Sequence, residues 1–75
     1  MPRSFTAVIE HDPASGLYVG SVPGLPGAHS QGATLEELRD NLREVIDLVL
    51  EELHSRGEDA EPSTFVGLQQ IAVGP

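Results

Sequence analysis

Acidic side chains dominate the charged residues of this chain, and their spacing shows whether they could act as catalysts. The 75 residues include twelve Asp and Glu against four Arg. Hydrolysis by two metal ions needs several carboxylates that converge on one point. The sequence places Glu10 on a predicted strand and Asp12 in the turn after it, while other acids lie on the solvated side of a predicted helix. Because this spread brings no three or four carboxylates together, we expect no nuclease activity.

The histidines and serines give no better candidates for catalysis. No two of His11, His29 and His54 stand at the i, i+4 spacing of a helical metal site. Ser21 and Ser30 have no evident His and Asp partners, so covalent catalysis has no support in the pattern. The chain lacks cysteine, which excludes disulfides and thiolate metal ligands. We therefore expect a protein that is not an enzyme and that holds no metal or other cofactor.

The net charge of −8 indicates the kind of partner that the chain would bind. A surface this acidic repels phosphate backbones, so direct binding of nucleic acid is disfavoured. It steers encounters towards a basic protein instead. The alternative is that the acidity only keeps a small domain soluble. The acids expected to meet a partner lie on the solvated side of the helix and in the loop after it: Asp40, Glu44, Asp47, Glu51, Glu58, Asp59 and Glu61.

Alternating side chains predict two strands joined by a turn. The first strand, SFTAVIEHD over residues 4–12, places Phe5, Ala7 and Ile9 on one face. The second strand, LYVGSV over 17–22, alternates in the same way. The intervening DPASG segment has turn composition, so the two strands are expected to form an antiparallel hairpin.

Two Pro-Gly pairs separate the second strand from a short third strand over residues 28–31. Proline has no N–H to give to a sheet, and glycine takes positive φ at little cost. The pairs are therefore expected to swing the chain onto a new strand line, and the next glycine is expected to end that strand. The residues that shape this turn are Pro23, Gly24, Pro26, Gly27 and Gly32.

A single long amphipathic helix is predicted from about Leu35 to about Arg56. Thr34 and Glu37 are three residues apart and form a capping box at its start. Leu48 falls outside the apolar stripe, and it is either a scattered surface leucine or a contact with a second subunit. The stripe itself consists of Leu35, Leu38, Leu42, Val45, Ile46, Val49 and Leu53.

The final segment, TFVGLQQIAV over 64–73, predicts a fourth strand with Phe65 and Ile71 as anchors. The order β-β-β-α-β defines one two-layer α+β domain over residues 1–75. The crossover helix places the last strand parallel to the first or the third. One helix covers one face of the sheet, and the other face stays open or meets another chain. Because so small a core needs further support, we expect a homo-oligomer.

The sequence also predicts where the protein works. No apolar run approaches the ~20 residues of a membrane span. The first ten residues, MPRSFTAVIE, lack the long apolar core of a signal peptide. We expect a soluble, cytoplasmic protein with no membrane partner.

Four linked segments carry a family likeness. In order they are FTAVIE, GLYVGSVPGLPG, HSQGATLEEL and a helix ending IDLVLEEL, and together they span residues 5–53. This arrangement resembles the N-terminal domain of the HicB family of antitoxins. The resemblance implies a partial RNase H-like sheet with a last strand beside the first, in the order 3-2-1-4. It also implies dimers or tetramers, and a partner that is a small basic HicA-like toxin acting on messenger RNA.

Two features depart from that family pattern. Ala28 occupies a place that is often cysteine. Full HicB antitoxins carry a C-terminal DNA-binding module, whereas only eighteen residues follow Gly57 here, and they read as loop and strand. The chain therefore resembles a short, single-domain branch of the family. Its expected function is to bind and neutralise a HicA-like toxin; the alternative is a solitary oligomeric domain that acts as a scaffold or binds a small ligand.

Overall fold

The computed structural model describes residues 3–60 and 63–75, and within them a three-stranded sheet is packed against one helix. The strands pair antiparallel in the order β1-β2-β3. This confirms the predicted α+β class, and the 3-2-1 part of the predicted strand order. The elements are β1 (Val8–His11), β2 (Tyr18–Ser21), β3 (His29–Gly32) and α1 (Leu35–Ser55).

β1 and β2 are shorter than the alternation predicts, whereas β3 keeps its predicted length of 4 residues but lies one residue later, so that it includes Gly32. Pairing of β1 with β2 runs only from Val8↔Ser21 to His11↔Tyr18. It stops on one side at the hairpin turn, and on the other side shortly before Pro23, which has no N–H to donate. Alternation marks residues that suit a strand, whereas a strand exists only where a neighbour supplies hydrogen bonds.

That same requirement explains why the predicted fourth strand over 64–73 is not formed in the part of the chain that the structure describes. Residues 63–75 carry no strand pairing and are all exposed. The expected anchors Phe65 and Ile71 are 45% and 73% exposed. An extended segment with no neighbour gains no ladder of hydrogen bonds. The position of a fourth strand beside β1 therefore stays a prediction.

The hairpin between β1 and β2 is held by Asp12. The Gly16 N–H donates to the Asp12 carbonyl at 2.8 Å, and the Asp12 N–H donates to the Leu17 carbonyl at 2.8 Å. The Ser15 hydroxyl donates to the Asp12 carboxylate at 2.7 Å. This bond, together with the nearby Ala14 N–H, lowers the pKa of Asp12 below its usual value. Asp12 thus serves the turn that its sequence context predicts.

The helix begins at the predicted capping box. Thr34 is extended, with φ −131° and ψ 162°, and its hydroxyl accepts the Glu37 N–H at 3.0 Å. The Glu37 carboxylate accepts the Ala33 N–H at 3.2 Å, one residue further out than the standard pattern. The helix ends at Ser55, one residue before the predicted end, and Gly57 follows with φ 71°.

The helix crosses β3 and β2 on one face of the sheet and leaves β1 uncovered. Two glycines lie beneath it. A Cβ at Gly32 would lie 2.6 Å from the backbone N of Leu38, and one at Gly20 would lie 2.9 Å from a methyl group of Leu42. Leu38 is fully buried, and Leu42 is almost so. The close approach of helix and sheet therefore depends on the absence of side chains at these two positions.

The Pro-Gly turn forms part of the core. Leu25, between the two pairs, is buried with Val22, Ala28 and Ala60. The Val22 N–H donates to the Ala28 carbonyl at 2.9 Å, and the Ala28 N–H donates to the Leu25 carbonyl at 3.1 Å. Both turn glycines have positive φ, 81° and 86°, as predicted. The partly buried residues packed against this cluster are Phe5, Ala7, Ile46, Val49, Leu50 and Leu53.

Replacing Gly27 by valine is expected to lower the free energy of unfolding by more than ~1 kcal/mol. Its φ of 86° is a conformation that β-branched residues avoid, whereas the added Cβ would make only ordinary contact with Val49 at 3.8 Å. Urea unfolding followed by circular dichroism measures the change. Gly27→Asn is the matched control, because asparagine tolerates positive φ and should cost less. Equal losses in the two variants would show that the backbone conformation is not the cause.

Candidate protein-binding surfaces

The acids predicted to meet a partner on the helix share one side of it. Asp40, Glu44, Asp47 and Glu51 are all exposed. At 3.6 residues per turn they lie within about 60° of one another and extend over about 16 Å along the axis. We call these four residues the acidic stripe. Their side chains present a row of negative charge to solvent.

Local ion pairs leave most of this charge free. Arg43 contacts Asp40 at 3.7 Å, with both side chains at least 65% exposed. An exposed pair of this kind contributes little to stability and is readily exchanged for a partner. Within residues 3–60 and 63–75, the other three acids of the stripe make no ion pair. The stripe therefore keeps a net negative charge.

The loop after the helix continues the acidic surface. Glu58 and Asp59 are exposed, and Glu58 contacts Arg56 at 3.4 Å. Glu61, also predicted to meet a partner, lies outside the described residues. The binding role of the stripe and of the loop acids stays a prediction.

Leu48 lies beside the acidic stripe, about 70° around the helix from its centre at ~100° per residue. Its side chain is 59% exposed. This exposure fits a surface leucine and fits a contact with a second subunit equally well, so both alternatives remain open.

The sheet face opposite the helix is not covered by any described part of the same chain, and it is largely polar. The strand register places Val8, Ser21 and His29 in one row. A second row consists of Glu10, Val19 and Gln31. These side chains line a shallow depression of about 470 Å³. Water can solvate most of this face, so its exposure alone does not require a partner.

A larger groove between β1 and the helix was not predicted. It has a volume of about 740 Å³ and forms because the helix leaves one face of β1 uncovered. Ile9 and Leu35 are about half exposed within it. Three of the four arginines also line it: Arg3, Arg39 and Arg43, together with Asp47. The apolar lining is Phe5, Ala7, Ile9, Leu35, Leu42, Ile46 and Leu50.

The sequence held one signal for this groove. Phe5, Ala7 and Ile9 were predicted to share a strand face, which implies that something covers them. A helix is about 10 Å wide, whereas three strands spaced ~4.8 Å apart, with their side chains, are wider. One helix therefore cannot cover the whole face, and an outer strand is left partly bare.

Metal sites and membrane-spanning helices are both absent from the residues that the structure describes, 3–60 and 63–75. Among them, no group of three His, Asp or Glu side chains could hold a metal ion. Neither is any helix in that part of the chain long and apolar enough to cross a membrane.

Comparison with known proteins relates the chain to small bacterial and archaeal proteins. A UPF0150 protein of Thermotoga maritima is 51% identical over 71 residues, which cover 95% of this chain and 91% of the relative. A UPF0150 protein of Synechocystis is 44% identical over 95% of this chain and 96% of its own length. One of Archaeoglobus fulgidus is 44% identical over 92% and 93%. No solved structure matches the chain significantly.

A family model places these likenesses in one group. The model described as the HicB-like antitoxin of bacterial toxin-antitoxin systems matches residues 5–72. The match includes β1, the Pro-Gly turn and the capped helix, and it continues through most of the exposed C-terminal segment. The chain therefore belongs to the HicB-like antitoxin family.

Proposed function

We propose that this protein is a non-catalytic antitoxin that binds and neutralises a small basic HicA-like toxin in the cytoplasm, without binding nucleic acid itself. The observation that carries the proposal is the acidic stripe, on a chain whose family gives it a toxin partner in general. The HicA-like identity of that partner follows from the resemblance described above. Its basic character follows from charge complementarity.

Exposure of the stripe determines how it would act. Its carboxylates lie in water, so each contributes mainly to long-range attraction rather than to a buried contact. The Debye length falls from about 30 Å at 0.01 M salt to about 3 Å at 1 M. We therefore expect the association rate with the toxin, more than the dissociation rate, to depend on the stripe.

Salt tests this mechanism directly. The association rate constant with the toxin should fall about tenfold or more between 0.05 and 0.5 M salt, because attraction between exposed charges is screened. Stopped-flow or surface-plasmon measurements on the purified pair give the rate. A rate that stays constant across this range contradicts electrostatic steering by the stripe.

Matched charge variants locate the effect. Glu44→Gln with Glu51→Gln removes two charges from the stripe, whereas Glu10→Gln with Glu52→Gln removes two from other exposed positions. The first pair should slow association several-fold more than the second. Equal effects would mean that overall charge, not the stripe, attracts the toxin.

The apolar groove favours a second candidate function, a solitary oligomeric domain that acts as a scaffold or binds a small ligand. A volume of about 740 Å³ lies in the range typical of ligand sites. The adjacent gene discriminates between the two functions. A neighbour encoding a small basic protein supports the antitoxin, whereas the lack of such a neighbour and of any co-purifying protein supports the solitary domain.

We also propose that the protein is a homo-oligomer, a dimer or tetramer, with Leu48 as one contact and the final strand beside the first in the order 3-2-1-4. Support comes from the thin core of a chain this small. The exposed apolar residues beyond the helix add to it, because water disfavours them.

A further inference from the structure

The groove between β1 and the helix has two features that a further segment could cover: apolar side chains and an open strand edge. Its apolar lining includes Ile9, which is 49% exposed. In the described part of the chain β1 pairs only with β2, so its outer N–H and C=O groups have no strand neighbour. An apolar floor beside an open strand edge suits an extended apolar segment, which would bury side chains and continue the sheet.

The chain itself carries such a segment. Residues 63–75 have no charged side chain, and all of them are exposed. Val66 is 95% exposed, Leu68 85% and Val73 90%. The Cα radius of gyration is 14.4 Å, against about 11 Å for a compact domain of this length. Beyond Phe65, the segment therefore extends away from the domain with little packing on it.

The segment begins near its own groove, because Phe5 lines both the groove and a depression that residues 63–65 border. Residues 63–65 lie beside Ser4–Thr6, just before β1. The residues after them pair with no strand and stay exposed, so they do not occupy this groove. One chain thus has an open groove beside β1 and an exposed apolar segment that does not fill it. In a two-fold dimer, the segment of each copy can occupy the groove of the other.

The charges that line the groove also favour a second copy of the chain as its occupant. The groove is lined by three arginines and one aspartate, although the whole chain is strongly acidic. The segment that would enter is preceded by the exposed acids Glu58 and Asp59. An incoming segment from a second copy would bring acids towards the arginines, which a basic toxin would not do.

From these observations we infer that residues 63–75 of one copy occupy the groove of a second copy, pairing with β1 as a fourth strand, and that the exchange is reciprocal. On a straight strand Ile71 and Val73 share one face, which is the face that enters the groove. This inference deepens the proposed homo-oligomer by assigning its contact surface.

Molecular mass tests the surface. The unaltered chain should run as a dimer of about 16 kDa, twice the 8.0 kDa chain, in light scattering at micromolar concentration. Ile71→Glu with Val73→Glu should give the 8.0 kDa monomer, because two charges would face the apolar groove. Gln70→Glu with Ala72→Glu adds the same charge to the opposite face of the same segment and should remain largely dimeric. A dimer in both variants, or a monomeric unaltered chain, overturns the inference.

Cross-linking tests the exchange itself, and the cysteine-free chain makes it simple. A chain with Ile9→Cys is mixed with another that carries Ile71→Cys, and a short thiol cross-linker is added. Exchange predicts a linked heterodimer, whereas pairing of Ile71→Cys with Gln31→Cys, on the far side of the sheet, should give little. If cross-links form only within a chain that carries both Ile9→Cys and Ile71→Cys, the segment occupies its own groove and the exchange is wrong.

Toxin binding is measured on the same Ile71→Glu, Val73→Glu variant. Loss of the dimer with an unchanged association rate supports both the exchange and the acidic stripe. A persistent dimer with normal toxin binding overturns the exchange alone. A lost dimer together with a salt-independent association rate leaves the exchange supported and overturns the stripe.

Discussion

Gly32→Ala is expected to lower the free energy of unfolding by about 2–3 kcal/mol. The added Cβ would lie 2.6 Å from the N of Leu38 and 3.0 Å from the carbonyl carbon of Glu37. Both are backbone atoms in the first turn of the helix, so no rotation of a side chain relieves the clash. The helix must lift away from the end of β3, which exposes apolar surface beneath Leu38. Urea unfolding at fixed protein concentration measures the loss.

Gly20→Ala is the matched control for this prediction. Its Cβ would meet a methyl group of Leu42 at 2.9 Å, and that methyl group is the far end of a flexible side chain. The cost should therefore be smaller, and it should decrease further in a Leu42→Val background, which shortens the obstructing side chain. The cost of Gly32→Ala should not change in that background. If Gly20→Ala proves as costly as Gly32→Ala, the distinction between backbone and side-chain obstruction is wrong.

The two glycines also show what a sequence can predict. The capping box of Thr34 and Glu37 involves neighbours in the chain. Its first bond, from the Glu37 N–H to the Thr34 hydroxyl, forms at 3.0 Å, while the Glu37 carboxylate accepts the Ala33 N–H rather than that of Thr34. The positive φ of Gly24 and Gly27 is equally local, because the Pro-Gly pairs require it. Gly32 was expected only to end a strand. In the structure, the helix passes so close above Gly32 that a side chain there would clash with it. No local sequence pattern predicts where a helix will cross a sheet.

The candidate surfaces also differ in whether the sequence alone could predict them. The helical period alone determines which acids share a side, so the acidic stripe could be predicted from spacing. The groove could not, because it depends on the helix covering β3 and β2 rather than β1. The final segment has strand composition, yet a strand needs a neighbour, and within the described residues of one chain it has none. Composition indicates that a segment can form a strand, and the presence of a neighbouring strand decides whether it does.

The predicted apolar stripe can be tested at its most buried member. Leu38→Ala is expected to lower the free energy of unfolding by about 2–5 kcal/mol, because Leu38 is fully buried where the helix crosses the sheet. A domain of this size has roughly 4–11 kcal/mol in total, so an appreciable unfolded fraction should appear at 25 °C. Thermal and urea unfolding at matched concentration measure the loss.

Leu48→Ala is the matched control for that variant, since it makes the same change in the same helix at a side chain that is 59% exposed. Helix propensity therefore cancels between the two variants, and the difference between them isolates burial. In a dilute sample Leu48→Ala should change the free energy of unfolding by no more than ~0.5 kcal/mol. If Leu48 contacts a second subunit, its cost should grow with protein concentration, because only the oligomer is affected. Equal losses for both leucines in dilute solution would mean that the Leu38 side chain is not buried between the helix and the sheet.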